Sequence, residues 1–303
     1  MISKPLFDSA CSTKFFEYLL ENSSYHYKVP EVGKLWAESV QKVNSSPKKN
    51  PEVMFEATAN DADLDPSRYW FTRMAEENGY RVLSGVIQDL DVKPDGVFLS
   101  GVKIDTVFTM FTWSEAIEFV SLDLIKRLTR LHVDRKVNFI SPPLSALFDH
   151  KKNFALLFSE QFRELFDDHE RAFINAHIPK TFYLCAENLE EAITNQCKLI
   201  LKPTNQYAGK GIKIGSMTTA DEWSSLLHEC IKCKIPVVIQ YVKKNHQHLV
   251  LTGIPPCKYC LAPLIYDRQV AGVYLRLLET DSPVPILNAA QGAAESFAIT
   301  YDD

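Results

Sequence analysis

Two glycines bracketing a lysine, Gly209-Lys210-Gly211, lie in the stretch Lys198-Leu-Ile-Leu-Lys-Pro-Thr-Asn-Gln-Tyr-Ala-Gly-Lys-Gly-Ile-Lys-Ile-Gly215, which constrains this chain more than any other. The apolar run 199–201 reads as a buried strand that carries Lys202 to a fixed position at its end. Pro203 has no N–H with which to continue a ladder and stops the strand. Gly209 and Gly211 let the backbone fold tightly and approach a ligand with no Cβ in the way. Residues 212–215 then return as a second strand. Successive backbone N–H groups, with the ammonium groups of Lys202 and Lys210, make a cradle suited to a polyphosphate. The nucleotide loop that ends in Gly-Lys-Ser/Thr is a different device. Here Gly211 and Ile212 follow Gly209-Lys210, and no helix pattern comes after them.

A hairpin with lysines is also what a solvated surface turn looks like, so the rest of the chain has to decide. Its 303 residues are long for a single core and sufficient for two or three subdomains. Apolar residues make up 46% and charged residues 23%, as in ordinary globular proteins. The net charge of −5 gives no support to a polyanion-binding role, and no basic, aromatic-rich face marks a nucleic-acid partner. Nowhere is there an apolar run near the length that spans a bilayer. The N-terminal residues are acidic within a few positions and lack a signal-peptide core. Seven scattered cysteines point to reduced thiols and a cytoplasmic protein.

The pattern divides into an N-terminal helical segment (1–50), an α/β domain (51–143), a lid-bearing subdomain (144–242) and a strand-rich end (243–303). Ser12 is placed to cap a helix with Phe15, Phe16, Leu19 and Leu20 on one face. The polar run 44–50 is a linker. Beyond it, strands at 53–57, 81–86, 104–111 and 137–140 alternate with helices from Pro66 to Gly79 and from about 113 to 131. Asp95-Gly96 and Gly101 bracket a small hairpin. Such alternation implies a parallel sheet covered on both faces. Helices are then expected at 151–166 and 168–177, another from Glu187, and one over 219–233 whose Thr219 and Glu222 form a capping-box pattern. Residues 236–242 form a very apolar strand. The end reads as a hairpin turning at Asp267, a loop, and a third strand that finishes at Asn288.

On the hairpin, Arg276 alternates with Leu275 and Leu277 and needs a partner. A phosphate or acyl phosphate is one candidate; a structural salt bridge to Glu279 or another acid is the other. Two C-x-x-C pairs, Cys230/Cys233 and Cys257/Cys260, have the spacing of zinc knuckles, and His246 and His248 lie between them. Cys230 and Cys233, however, fall at the end of a capped helix, with an apolar strand between the pairs. Asp61, Asp63 and Asp65 form an acidic loop that either is solvated or faces an amine.

From about residue 95 to 292 the chain resembles the ATP-grasp carboxylate–amine ligases, most closely the glutathionylspermidine-synthase-like and glutathione-synthetase-like branch. The residues that carry the resemblance are Ile104-Asp-Thr-Val-Phe-Thr-Met-Phe-Thr-Trp113, Pro142-Pro-Leu-Ser-Ala-Leu-Phe-Asp-His-Lys-Lys152, Lys202-Pro203 and Gly209-Lys-Gly-Ile212. They continue with Ile239-Gln-Tyr241, Val270-Ala-Gly-Val-Tyr-Leu-Arg276 and Leu287-Asn288. The resemblance implies a Rossmann-like preceding domain followed by an ATP-grasp fold, two α+β subdomains that clamp ATP. It implies that Lys152, about fifty residues before Lys202, joins it on the α- and β-phosphates. A lysine at a helix N-terminus is unfavourable by itself, which argues for some such role. The resemblance further implies an adenine hinge at Gln240, Tyr241 and Val242, phosphate contacts by Gly209 and Gly211, and catalytic roles for Lys210 and Arg276. Asn288 is the expected metal ligand.

The implied reaction is an ADP-forming ligation. ATP phosphorylates a small-molecule or peptide carboxylate, an amine (or thiol) acceptor attacks the acyl phosphate, and Mg2+ assists. The family's acidic residue two positions before the asparagine is Ile286 here, so the acid must come from elsewhere, with Glu279 and Asp281 nearest. Ala208 stands where a loop glycine is common. These departures keep open an impaired ATP-grasp nucleotide-binding module; a small-molecule kinase and a zinc-binding interaction protein are further alternatives.

Overall fold

The computed structural model describes residues 27–28, 32–43, 52–58, 67–242, 248–249, 255–298 and 300–301. The helix expected after Ser12, the linker 44–50, the acidic loop from Asp61 to Asp65 and His246 lie outside them. The chain forms two compact units, Met1–Ala146 with Leu249–Asp303, and Leu147–His248. None of the described helices is long and apolar enough to cross a membrane.

The first unit starts with β1 (Tyr27–Lys28), α1 (Val32–Val43), β2 (Glu52–Thr58), α2 (Ser67–Glu77) and β3 (Tyr80–Val86). The short strands β4 (Asp91–Lys93), β5 (Gly96–Leu99) and β6 (Val102–Ile104) form an antiparallel meander. They are followed by β7 (Thr106–Thr109), α3 (Leu122–Val133) and β8 (Asn138–Ile140). Strands β3, β2, β7 and β8, in that order, make a fully parallel sheet. Period-two alternation explains how both of its faces are buried. Phe55, Ala57, Val107 and Phe139 pack with Leu128 and Leu131 of α3. Met54 and Phe108 point the other way, onto Trp36, Ala37 and Val40 of α1 and Ala75 of α2.

The single strand expected at 104–111 is instead two strands that join different sheets. Asp105 makes the transfer: its N–H donates to the Val53 carbonyl (2.9 Å) and its Oδ2 accepts from the Val53 N–H (3.0 Å).

The second unit holds α4 (Lys152–Leu156), α5 (Asp168–His177), β9 (Thr181–Tyr183), α6 (Leu189–Thr194), β10 (Leu199–Pro203), β11 (Lys213–Ile214), α7 (Ala220–Lys232) and β12 (Val237–Tyr241). The helix expected over 151–166 ends at Leu156 and resumes only as a 3-10 segment, Glu160–Leu165, because Ser159 between them is extended (φ −79, ψ 130). Helices α5 and α7 both begin with capping boxes, Asp167/Glu170 and Thr219/Glu222, the second as the sequence indicates. Strands β11, β10, β12 and β9 form an antiparallel sheet. One face buries Leu199, Leu201, Val237 and Ile239 against Trp223, Leu227 and Cys230 of α7.

The chain then returns to the first unit with β13 (Cys257–Tyr266), β14 (Gln269–Glu279), β15 (Ala294–Ala298) and β16 (Thr300–Tyr301), which pairs with β1. The hairpin turns at Asp267 and Arg268, both with positive φ (45° and 65°), as a two-residue turn of the right twist requires. Lys42 of α1 pairs with Asp267, and Leu264 and Tyr266 pack on the α1 cluster. The third strand does not end at Asn288. Pro283 and Pro285 cannot donate to a ladder, and the third strand is β15. Asn288 lies in a turn whose carbonyl accepts from Gln291 N (2.9 Å) and Ala293 N (3.1 Å).

The second unit depends on Trp223, fully buried and donating through Nε1 to the Ala192 carbonyl at 3.0 Å. Trp223→Ala is expected to destabilise that unit by about 3–5 kcal/mol. Hydrogen exchange checks this: amides of β10 and β12 should lose protection while those of β2 and β7 keep theirs.

Candidate functional site

Strand register sorts the second unit's side chains. Leu199 and Leu201 enter the core, so Ile200 and Lys202 face the opposite side. Gln240 is paired with Ile200, and Val238 with Lys202. Thr181 is paired with Gln240, and Tyr183 with Val238. Paired residues share a face. Lys202, Gln240, Thr181 and Tyr183 therefore stand together on the face turned away from Trp223, and α4 packs across β9 and β12.

Helix α4 and the residue before it add two more lysines. Lys152 Nζ lies 4.6 Å over the Tyr183 ring, and Lys151 Nζ lies 5.2 Å over that of Tyr207. The Lys151 N–H donates to the Thr204 carbonyl at 2.9 Å, and its ammonium donates to the Gln206 carbonyl. The Lys202 ammonium donates to Gln240 Oε1 at 2.5 Å. Burial holds the pKa of Lys202 below the ordinary lysine range, and the nearby Lys151 charge lowers it further. Burial alone lowers that of Lys151. His150 is lowered by burial and then by Lys152 and Lys151. Lys202 and Lys151 thus lie where water is partly excluded, while Lys152, over the Tyr183 ring, is exposed. Among the described residues the buried hydroxyls of Thr204 and Tyr207, in the same loop, make no hydrogen bond.

The glycine loop has the expected tight form. Lys210 N donates to the Tyr207 carbonyl (3.0 Å) and Ile212 N to that of Gly209 (3.4 Å). Ala208, Gly209 and Gly211 all have positive φ (53°, 77° and 69°). A Cβ on Gly211 would come 2.7 Å from Pro203 Cγ, so only glycine fits there. Lys210 is exposed at the apex.

The hinge residues are arranged differently from a simple purine edge. Tyr241 N donates to the Lys180 carbonyl (2.9 Å) and Val242 N to that of Lys198 (2.8 Å), so both donors are engaged within the protein. The Tyr241 side chain lies on the core side of the sheet, where its hydroxyl donates to Glu191 Oε1 (2.8 Å), which also accepts from Lys180 (3.2 Å).

In the first unit, Arg276 on β14 is paired with Glu295 on β15; its Nε lies 3.6 Å from Glu295 Oε1 and its guanidinium 5.0 Å from the Tyr274 ring. The structure thus gives Arg276 an acidic partner, and that partner is neither Glu279 nor a phosphate. Glu279, the last residue of β14, is exposed. Among the described residues no group of three His, Cys, Asp or Glu side chains is placed to hold a metal ion. Cys230 is buried in α7 and Cys233 is exposed at its end; Cys257 is buried and Cys260 exposed on β13.

Sequence reasoning missed Thr181, Tyr183 and Glu295. The first two sit on a three-residue strand with too few positions to display alternation. Glu295 became visible only once the third strand was placed after Gly292.

No family model matches the chain, and no curated protein matches it. Among solved structures it is similar to a glutathione synthetase-like effector from Globodera pallida in its apo form, with 10% identity, a TM-score of 0.53, and coverage of 90% of this chain and 62% of that one. It is also similar to a protein assigned as a gamma-glutamylcysteine synthetase from Methylobacillus flagellatus, with 12% identity, a TM-score of 0.55, and coverage of 86% and 70%. The chain thus spans less than two thirds of the length of the first. At these identities the likeness shows the fold alone, a mixed α/β architecture shared with these two structures.

An anion held by Lys202 and Lys151 favours their charged forms and raises both pKa values. Binding must then take up protons between the free and bound values, and affinity must fall as pH rises through the free values. Titration with a polyphosphate at alkaline pH, in buffers of different ionisation enthalpy, is expected to show net proton uptake. In the loop, Gly211→Ala is expected to cost about 1–3 kcal/mol of local stability, read as lost hydrogen-exchange protection of the loop amides.

Proposed function

We propose that the chain binds ATP on the lysine face of the second unit and uses it as an ADP-forming ligase. The observation that carries this reading is the convergence of Lys202, Lys151 and Lys152 on one sheet face beside the Gly209-Lys210-Gly211 loop. Partly desolvated cations such as Lys202 and Lys151 interact with polyphosphate more strongly than solvated ones. Lys202 and Lys152 are the proposed ligands of the inner phosphates, with the N–H groups around Gly209 and Gly211. Lys210, exposed at the apex, is the proposed contact for the terminal phosphate. Because the N–H groups of Tyr241 and Val242 are engaged, any purine pairing there falls to carbonyl groups or to residues beyond 242.

In the proposed reaction a carboxylate oxygen attacks the γ-phosphorus and ADP leaves. An amine nitrogen then attacks the acyl carbon, phosphate leaves, and the nitrogen loses a proton. The carboxylate is that of a small molecule or peptide and the acceptor an amine. Arg276, in the first unit, is engaged by Glu295, so a phosphate reaches it only by replacing that partner. Magnesium is taken to arrive on the nucleotide, as is usual for an ion that keeps most of its waters.

A second reading, nucleotide binding without turnover, is favoured by Ile286 in place of an acid and by the Arg276–Glu295 pair. One experiment separates the two. Wild-type protein is titrated with Mg·ATP and then assayed for ADP release across paired carboxylates and amines. Ligase activity predicts binding, weakened at least about tenfold in Lys202→Ala, and ADP release only when both co-substrates are present. Binding with no release under any pair supports the module. Absence of binding removes both readings.

A further inference from the structure

We propose that Gln240 and Thr181 are positioning residues that hold the Lys202 ammonium in place without neutralising it; the proposal rests on reading this face as the nucleotide's. Gln240 accepts from Lys202 Nζ at 2.5 Å, its Nε2 donates to Thr181 Oγ1 at 3.1 Å, and the Thr181 hydroxyl donates to the Pro179 carbonyl at 2.8 Å. The direction of this chain is fixed at both ends. An ammonium only donates and a carbonyl only accepts. Gln240 must therefore turn its oxygen to Lys202 and its nitrogen to Thr181, and the Thr181 proton must point at Pro179. The usual ambiguity of an amide's orientation does not arise.

Thr181 is 1% exposed, so no water replaces its hydroxyl. It stands directly across from Gln240 in the β9–β12 register, which fixes the contact through the backbone. A threonine here anchors an amide, and the amide anchors a lysine one strand further on.

The choice of an amide has an electrostatic consequence. A carboxylate at position 240 would hold the lysine equally well, but it would cancel the charge and leave little for an anionic ligand. Gln240 supplies the same acceptor and no net charge. The charged neighbour that bears on Lys202 is Lys151, a like charge. Lys202 is thus held, partly desolvated and with no acid paired to it among the described residues, in the state that an incoming phosphate would find most favourable.

The test compares wild type, Thr181→Val, Thr181→Ser and Gln240→Glu by titration with Mg·ATP at several salt concentrations and at pH 7 and 9, with circular dichroism as a check on folding. Thr181→Val is nearly isosteric and removes only the hydroxyl. It is expected to weaken binding about tenfold, as loss of a buried hydrogen bond tied to a charge does, and Thr181→Ser is expected to restore it. Gln240→Glu is expected to weaken binding, to flatten its salt dependence and to reduce the proton uptake at pH 9, because the new carboxylate keeps Lys202 charged before ligand arrives. A merely structural role would lower stability without changing the salt or pH dependence. If wild type binds and Gln240→Glu binds with the same affinity, salt slope and proton uptake, the positioning role is wrong while the nucleotide reading stands. If Thr181→Val misfolds, Gln240→Glu and Thr181→Ser still decide the question. If wild type does not bind Mg·ATP, the nucleotide reading falls and takes this proposal with it.

Discussion

The pairing of β10 with β12 decides where the lysines of this chain end up. In an antiparallel sheet with one buried face, a slip of one residue would exchange the two faces completely. Leu199, Leu201, Val237 and Ile239 lock the register, since each is almost completely buried beside Trp223. Lys202 and Gln240 are then forced to the other side together. The proposed functional face is a by-product of hydrophobic packing: the core chooses the register, and the register delivers the cation and its acceptor to the same place. Pro203 ends the strand immediately after the lysine, and its ring also closes the space beside Gly211.

That face is poorly optimised for stability, and this is informative. Burial lowers the proton affinity of both Lys202 and Lys151, and the Lys151 charge lowers that of Lys202 further. Ala208 adopts a left-handed conformation that costs a residue with a Cβ about 1–2 kcal/mol. The hydroxyls of Thr204 and Tyr207 are buried with no hydrogen bond among the described residues. Each feature works against folding, and all belong to the loop or the helix start that meets it. Local rules are broken together mainly where a ligand repairs them. An anion would relieve the lysine repulsion directly, which is why proton uptake on binding, and not affinity alone, reports on this site.

Much of this was legible in the sequence, for identifiable reasons. Lys202, Pro203 and the two glycines announce themselves because strand end, stop and tight turn are local properties of the chain. The α7 capping box and the Asp267 turn are local in the same sense. The doubly covered parallel sheet followed from strands and helices in alternation. What failed was non-local or too short. The 104–111 run has strand-like residues on both sides of Asp105, so nothing local reveals that Asp105 hands the chain from one sheet to another. The 151–166 segment carries helical periodicity across a break at Ser159. Thr181 contributes to a strand of three residues. That Arg276 needs a partner was evident; that the partner is Glu295 depended on where the third strand begins, and Pro283 and Pro285 move that point beyond Asn288.

Arg276 also marks the physical difference between binding a nucleotide and turning it over. Holding polyphosphate requires fixed cations, which the lysine face has. Moving a phosphoryl group requires stabilising charge that develops only in transit, by groups available at that moment. Arg276 is engaged with Glu295, whose side chain is only 10% exposed. Removing one partner of a buried pair leaves the other charge uncompensated, at a cost of several kcal/mol. A phosphate that draws Arg276 away must therefore leave Glu295 with a proton or another cation. The burial of Tyr274 beside the pair, which together with Glu295 pushes the phenol pKa upward, makes that site still less tolerant of an unbalanced negative charge. Any catalysis through Arg276 is thus constrained by the fate of Glu295, whereas the proposed binding through Lys202 carries no such condition, because its acceptor is neutral.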